Sequence, residues 1–204
     1  MLTTDPLAFV RAALPAPPAH LLEIGAGQGE LAATLDAAGY QVTAIDPAAE
    51  DESHVQRATL LDVHGNFDAA LAVVALHHVE PLEASCAHLA SLLAPAGRLV
   101  VDEFDVTCLD ERAAAWWLAQ RRALGAEEEN DPLGLVAGIR EHVHPLRAIR
   151  DGLTPYFALG EPVPGPYLHR WNLEPGLRDA EEHLIATGQL PATGARLIGT
   201  RLPT

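Results

Sequence analysis

Apolar and polar stretches alternate regularly along the chain between residues 20 and 104. Four stretches are typical of buried strands: "HLLEIG", "QVTAID", "FDAALAVVA" and "RLVVDEF". Between them, "GELAATLDAAGY" and "PLEASCAHLASLLAP" carry apolar residues at helical spacing, and Gly39 is predicted to end the first of these helices. A weaker third strand is predicted at "ATLLDV", and a short helix over residues 5–14. This alternation predicts an α/β fold with a doubly wound, mostly parallel sheet.

The pattern changes after Phe104. We predict a helix over residues 110–124, partly helical structure over 133–153, and short strands and loops over 156–171, where proline and glycine are frequent. A late helix within residues 174–190 and a final strand at "ARLIGTRL" complete the pattern. Because there is no internal repeat and no low-complexity linker, we expect residues 1–204 to form a single domain.

Charge and composition exclude several classes of function. The formal net charge of −15 at pH 7 argues against nucleic acid and against an anionic membrane surface as partners. All 13 basic residues are arginine, so a lysine Schiff base and a Walker-type phosphate site are excluded. The N-terminal residues do not resemble a signal peptide, and "AALAVVAL" is too short to span a bilayer. With only Cys86 and Cys108 in the chain, we expect a cytoplasmic protein.

Three glycines, Gly25, Gly27 and Gly29, follow the first predicted strand directly. A dinucleotide fingerprint has the form G-x-G-x-x-G, but the position of its third glycine is occupied by Glu30. A further acid, Glu23, lies two residues before the first glycine and would repel a pyrophosphate. The turn therefore predicts a ligand that approaches the backbone closely and carries a cationic amine or sulfonium.

The stretch "LLEIGAGQGELAATL" resembles motif I of the class I S-adenosylmethionine-dependent methyltransferases. "FDAALAVVALHHV" and "LLAPAGRLVVDEF" are similar to the fourth strand and to the entry into the fifth strand of that family, and the resemblance covers about residues 18–105. It implies a Rossmann-like sheet of seven strands, of which the last, "ARLIGTRL", is antiparallel, and S-adenosylmethionine as the cofactor. Asp46 matches the acid that holds the ribose hydroxyls, Asp62 matches the acid near the adenine amino group, and Val63 is expected on the adenine face. The full set of cofactor-binding residues that we expect is Glu23, Gly25, Ala26, Gly27, Gly29, Asp46, Pro47, Asp62, Val63, Val74 and His77.

The sequence specifies the substrate-binding residues less clearly than the cofactor-binding residues. His78 follows the fourth strand of the family pattern, at the edge that faces the ligand crevice, and is our candidate general base. Residues 105–170 match no subfamily and are expected to form a partly helical insertion that caps the substrate, with Trp116, Tyr167 and Arg170 as substrate contacts. Because adjacent helical residues point about 100° apart, only one of Trp116 and Trp117 is expected to pack in the core. His142 and His144 have strand-like spacing, but no third ligand is evident, so we expect no metal.

The sequence thus predicts methyl transfer to a small-molecule acceptor, whose O, N or C nucleophile is undetermined, by a monomer or homodimer. A protein as the methyl acceptor remains an alternative. The alternative is a cofactor-binding module that has no transfer activity and acts as a regulator or partner. A nicotinamide-dependent oxidoreductase is disfavoured by the misplaced third glycine and by the absence of the lysine that a Y-x-x-x-K pair needs.

Overall fold

Strands form at the apolar stretches between residues 20 and 104, and shorter ones follow. The computed structural model describes residues 6–50, 54–127 and 131–203. Its strands are β1 (His20–Ile24), β2 (Gln41–Ile45), β3 (Phe67–Val73), β4 (Leu93–Phe104), β5 (Phe157–Leu159), β6 (Val163–Gly165) and β7 (Gly194–Arg201). Its helices are α1 (Pro6–Ala13), α2 (Glu30–Ala37), α3 (Leu82–Leu92), α4 (Glu111–Ala123), α5 (Pro132–Arg140), α6 (Leu146–Leu153) and α7 (Arg178–Ala186). No helix in the described ranges is long and apolar enough to cross a membrane.

The chain divides into two compact units. The first comprises the described residues of Met1–Glu103, Arg147–Glu161 and Leu197–Thr204, and the second comprises those of Phe104–Leu146 and Pro162–Arg196. The predictions of a single domain and of a capping insertion over 105–170 stay predictions.

The strands run in the order β2-β1-β3-β4-β7-β5, and β6 also pairs with β7. β1 pairs in parallel with β2 and with β3, and β3 pairs in parallel with β4. β7 pairs antiparallel with β5 and, through residues 194–196, with β6. The predicted α/β fold, with a mostly parallel seven-stranded sheet and an antiparallel last strand, is therefore confirmed.

The core of the first unit lies where α1 and α2 pack on the sheet. Its buried members are Val10, Ala13, Ala19, Leu21, Leu35, Ala69, Leu71 and Val100. On β3, Ala69 and Leu71 face this core and are completely buried. After α2 the chain turns at Gly39, whose φ of 93° lies in the left-handed region, so the predicted end of this helix is confirmed.

The predicted third strand at "ATLLDV" is wrong. Leu60–Asp62 forms a 3₁₀ turn instead, which is capped at Thr59. The carboxylate of Asp62 accepts hydrogen bonds from the backbone N–H of Thr59 at 2.9 Å and from its hydroxyl at 2.6 Å. This local capping satisfies backbone groups that a strand would leave for a sheet neighbour. The sheet reaches seven strands through β5 and β6, which lie in the proline- and glycine-rich segment.

Candidate functional site

A cavity of about 370 Å³ lies at the carboxyl ends of β1, β2 and β3, within the first unit. Ligands of open α/β sheets bind at such strand ends, next to the point where the strand order reverses. In this sheet the order reverses between β1 and β3. The residues that line the cavity are Ile24, Gly25, Asp46, Pro47, Thr59, Leu60, Val74, Ala75, His78, Val79, Glu80 and Ser85.

Gly25, the first residue of the glycine turn after β1, lines the cavity. Gly25, Gly27 and Gly29 have φ values of 69°, 54° and 80°, in the left-handed region that glycine adopts at little cost. A Cβ on Gly25 would lie 2.4 Å from the Cβ of Ala75, whereas a Cβ on Gly27 would meet no atom within 4 Å. Gly25 is therefore required by packing, while the backbone at Gly27 is open to a ligand.

Asp46 connects the glycine turn to the end of β2. One of its carboxylate oxygens accepts the backbone N–H of Gly27 at 2.9 Å, and the other accepts that of Ala48 at 2.8 Å. A carboxylate oxygen has two acceptor sites, so each keeps one for a ligand. The same side chain therefore orders the turn and presents acceptors to the cavity.

Glu23 is buried in β1, with only 3% of its surface exposed. Its Oε2 atom has no hydrogen-bond partner among the described residues. Burial raises the pKa of this carboxyl from 4.5 to about 7, and a hydrogen bond with the backbone of Ala32 opposes the rise. β1 therefore carries a buried carboxyl with a pKa near neutral, directly before Ile24 of the cavity wall.

The loop after β3 is held by a buried carboxylate from β4. Glu103, completely buried, accepts hydrogen bonds from the backbone N–H groups of Ala75 and Leu76. Its second oxygen lies 2.7 Å from Nδ1 of His77. Because an ionised carboxylate only accepts, Nδ1 carries the proton of this bond. Glu103 thereby fixes the backbone that leads into His78.

The two histidines of this loop have different surroundings. His77 is buried and lies outside the cavity wall, with its ring bonded to Glu103. His78 is exposed and lines the cavity, and its ring centroid lies 4.1 Å from that of His77. Of the pair, His78 is therefore the side chain that a ligand in the cavity meets.

The structure places only part of the predicted cofactor set on the cavity wall. Gly25, Asp46, Pro47 and Val74 line it, as does the candidate base His78. Seven others are absent from the wall: Glu23, Ala26, Gly27, Gly29, Asp62, Val63 and His77. Thr59 and Leu60 line the cavity in the segment where Asp62 and Val63 were expected to do so. For all of these residues the binding roles stay predictions.

The predicted substrate contacts belong to the second unit. Trp117 is buried, stacks on Trp171 with ring centroids 4.1 Å apart, and donates its indole N–H to the carbonyl of Trp171. Trp116 is half-buried, so the expectation that only one of the pair packs in the core is met. Tyr167 is buried and stacks on Phe104 at 4.4 Å.

A second buried carboxylate holds the turn that contains Tyr167 and Arg170. Glu181 accepts the backbone N–H groups of Tyr167, Leu168 and His169 and a ring N–H of His169 at 2.7 Å. Burial by itself raises the pKa of Glu181, but the hydrogen bonds from His169 and the backbone outweigh it and lower the pKa. This carboxylate is a structural anchor of the second unit.

His142 and His144 have strand-like spacing, but they do not lie in a strand. α5 ends at Arg140, and the ring of His142 bonds to the carbonyl of Gly138 at 2.7 Å. Within the described ranges, no group of three His, Cys, Asp or Glu side chains is arranged to hold a metal ion.

From the sequence we did not identify Glu103, nor cavity-lining residues such as Thr59, Leu60 and Ser85. Glu103 was assigned only to a strand, although an acid in the apolar stretch "RLVVDEF" signals a buried carboxylate that needs partners. Ser85 gave no comparable signal, because a single serine on an amphipathic helix is ordinary.

Residues 4–128 match a family model described as a methyltransferase domain, which covers more than half of the chain. The ubiquinone/menaquinone biosynthesis C-methyltransferase of Rubrivivax gelatinosus is 26% identical over 125 residues. That alignment covers 54% of this chain and 46% of the relative, so the chain spans about half the length of this curated protein.

Solved structures of methyltransferases share the fold. An S-adenosylmethionine-dependent methyltransferase of Methanosarcina mazei matches all of both chains at 16% identity, with a TM-score of 0.62. The 1,6-didemethyltoxoflavin-N1-methyltransferase of Burkholderia thailandensis, solved with 1,6-didemethyltoxoflavin and S-adenosylhomocysteine bound, is 17% identical, with a TM-score of 0.55. That match covers 91% of this chain and 72% of the other. On the family match over residues 4–128, the chain belongs to the methyltransferase domain family, which confirms the predicted class I S-adenosylmethionine-dependent methyltransferase.

Proposed function

We propose that this protein transfers the methyl group of S-adenosylmethionine to a small-molecule acceptor in the cavity at the ends of β1, β2 and β3. The observation that carries the proposal is the meeting of Gly25, Asp46 and His78 on one cavity wall. These residues follow three different strands of the sheet. A bound cofactor and the imidazole of His78 would thus share one cavity.

The residues fit the cofactor. The open backbone at Gly27 accommodates a ligand at close approach, because a side chain there would enter empty space. Asp46 keeps acceptor capacity for the two vicinal ribose hydroxyls. Glu23 is buried, and one of its oxygens has no hydrogen-bond partner in the described ranges. It suits a cationic amine or sulfonium, which would favour its ionised form. We assign the cofactor-binding roles accordingly.

The bound cofactor supplies an activated methyl group, and the protein supplies positioning and proton transfer. The glycine turn and Asp46 hold the cofactor, and the loop fixed by Glu103 carries the histidine toward the acceptor. His78 acts as general base: it takes the proton of an acceptor hydroxyl as that oxygen attacks, or it takes the proton of a protonated amine before the neutral nitrogen attacks.

The charge of the chain favours a small molecule as the acceptor. The formal net charge of −15 opposes a nucleic-acid acceptor and an anionic membrane surface. The methyltransferase of Burkholderia thailandensis, which shares the fold, was solved with 1,6-didemethyltoxoflavin bound. We keep the monomer or homodimer and, from the two free thiols, the cytoplasmic location as parts of this proposal.

Calorimetric titration tests the cofactor. The purified protein is titrated with S-adenosylmethionine, S-adenosylhomocysteine and a nicotinamide dinucleotide, each with the wild type, with Asp46→Ala and with Asp151→Ala. Asp151 is exposed in α6 and serves as the matched control. We expect both sulfur ligands to bind the wild type and the control, with the affinity reduced at least tenfold in Asp46→Ala. Binding of the dinucleotide alone would refute the proposal.

A transfer assay tests the activity. Cofactor labelled in the methyl group is incubated with the protein and a pool of small metabolites, and labelled products are separated. We expect a labelled product, and a rate about 10²–10⁴-fold lower in His78→Ala, the range of general acid–base catalysis. His183→Ala, an exposed histidine of α7, should leave the rate unchanged. Tight cofactor binding with no labelled product would favour the cofactor-binding module without transfer activity.

A further inference from the structure

Ser85, in the first turn of α3, is an unexplained polar residue on the cavity wall. It lines the cavity, and only 1% of its surface is exposed. Its hydroxyl has no hydrogen-bond partner among the described residues. Since a buried hydroxyl without a partner costs free energy, a group that bonds to it should be sought in the cavity.

Other helical hydroxyls of this protein find a partner locally. In α2, Thr34 donates to the carbonyl of Glu30 at 2.8 Å. In α3 itself, Ser91 donates to the carbonyl of His88 at 2.7 Å. Serine and threonine commonly bond back to the preceding helical turn in this way. Ser85 does not, although it occupies the same helix as Ser91.

The neighbours of Ser85 indicate which part of a ligand it meets. α3 packs against the turn Leu60–Asp62, and Nε2 of His88 bonds to the carbonyl of Val63 at 2.9 Å. Ser85 thus belongs to the side of the cavity that Thr59 and Leu60 line. The adenine ring of the cofactor is expected near this segment. The hydroxyl of Thr59 is already used, since it donates to Asp62.

We propose that the Ser85 hydroxyl forms a hydrogen bond with the purine ring of the cofactor and is a positioning residue for it. The inference rests on the proposed function. A hydroxyl both donates and accepts, and the adenine ring offers acceptor nitrogens and an amino group, so the chemistry is complementary. Because Ser85 is buried in a helix, its backbone is already ordered before the ligand arrives.

Calorimetry with S-adenosylhomocysteine tests this bond without depending on turnover. Ser85→Ala removes the hydroxyl and little else, and Ser91→Ala is the matched control in the same helix. Each variant and the wild type are also titrated with four analogues. Three analogues have one purine ring nitrogen replaced by carbon, and the fourth lacks the exocyclic amino group. Thermal unfolding of each protein without ligand checks that the variants are folded.

We expect Ser85→Ala to bind S-adenosylhomocysteine about 3- to 10-fold more weakly, the range of a single neutral hydrogen bond. Ser91→Ala should bind it as the wild type does. One of the four analogues, the one that lacks the bonded atom, should bind the wild type and Ser85→Ala equally. A merely structural role for Ser85 would lower the affinity for every analogue by the same factor.

Two results would overturn the inference while leaving the proposed function intact: unchanged affinity in Ser85→Ala, or the same loss with all four analogues. Failure of the wild type to bind S-adenosylhomocysteine would instead refute the proposed function and this inference with it.

Discussion

Replacing Glu23 by glutamine should stabilise the protein at neutral and alkaline pH and leave it nearly unchanged in acid. Glutamine keeps the size of the side chain and removes the ionisation. Burial raises the pKa of Glu23 from 4.5 to about 7 in the folded protein. The folded state therefore holds this proton up to a higher pH than the unfolded chain does.

The sign and the size of the change in stability follow from this difference in pKa. Stability associated with protonated Glu23 is fully present below pH 4.5 and is lost as the pH rises to about 7. One pKa unit corresponds to about 1.4 kcal/mol, so the loss amounts to ~3 kcal/mol at pH 8. For a chain of this size, such a difference shifts the midpoint of thermal unfolding by roughly 6–12 °C.

Urea unfolding at intervals between pH 4.5 and 8.5 measures the effect on both proteins. The free energy of unfolding of Glu23→Gln minus that of the wild type should be near zero at the acid end and grow to a plateau above pH 7. Glu30→Gln, at the exposed start of α2, is the control for the same substitution at an exposed position. Parallel curves for Glu23→Gln and the wild type would refute the reasoning about burial.

Three further predictions concern the anchors of the fold. Gly25→Ala places a Cβ 2.4 Å from that of Ala75, at a residue whose φ is 69°. We therefore expect a lower unfolding temperature and, by calorimetry, loss of S-adenosylhomocysteine binding. A variant with unchanged stability and binding would contradict the packing argument. Glu103→Gln leaves only one side-chain oxygen to accept the hydrogen bonds of two backbone N–H groups and of the His77 ring. In the transfer assay kcat should therefore fall at least tenfold, while the affinity for S-adenosylhomocysteine changes less. Glu181→Gln should destabilise the protein at pH 7, and the difference from the wild type should shrink as the pH falls through the lowered pKa of Glu181. Thermal unfolding between pH 3 and 7 measures this last effect, and a difference that grows in acid would contradict the assignment.

Local sequence was a good guide where local physics decides the outcome. β1, the glycine turn and α2 follow directly from an apolar run, three alternating glycines and helical spacing. Asp46 was identified from its place at the end of a strand, and it lies on the cavity wall. The element over residues 58–63 was misassigned because "ATLLDV" has the apolar content of a strand, while the Thr59–Asp62 capping pair that decides its conformation was not recognised.

The parts that sequence did not provide depend on contacts between distant residues. The partners of Glu103 lie 26 to 28 residues before it, on another strand end, and no local pattern specifies them. The unpartnered hydroxyl of Ser85 likewise becomes visible only when α3 is packed against the turn at Leu60–Asp62. In both cases the sequence named the element but not the neighbour that gives the side chain its role.

The anchoring of the loop after β3 by Glu103 also bears on how the protein is made. A ribosome adds residues from the N-terminus, so Ala75, Leu76 and His77 leave it well before the carboxylate that fixes them. Until Glu103 has emerged and β4 has joined β3, the nascent chain lacks the carboxylate that fixes the loop after β3. On a partial chain that ends before Glu103, the loop that carries His78 is therefore not yet fixed, and this side of the cavity is completed only when β4 has joined the sheet.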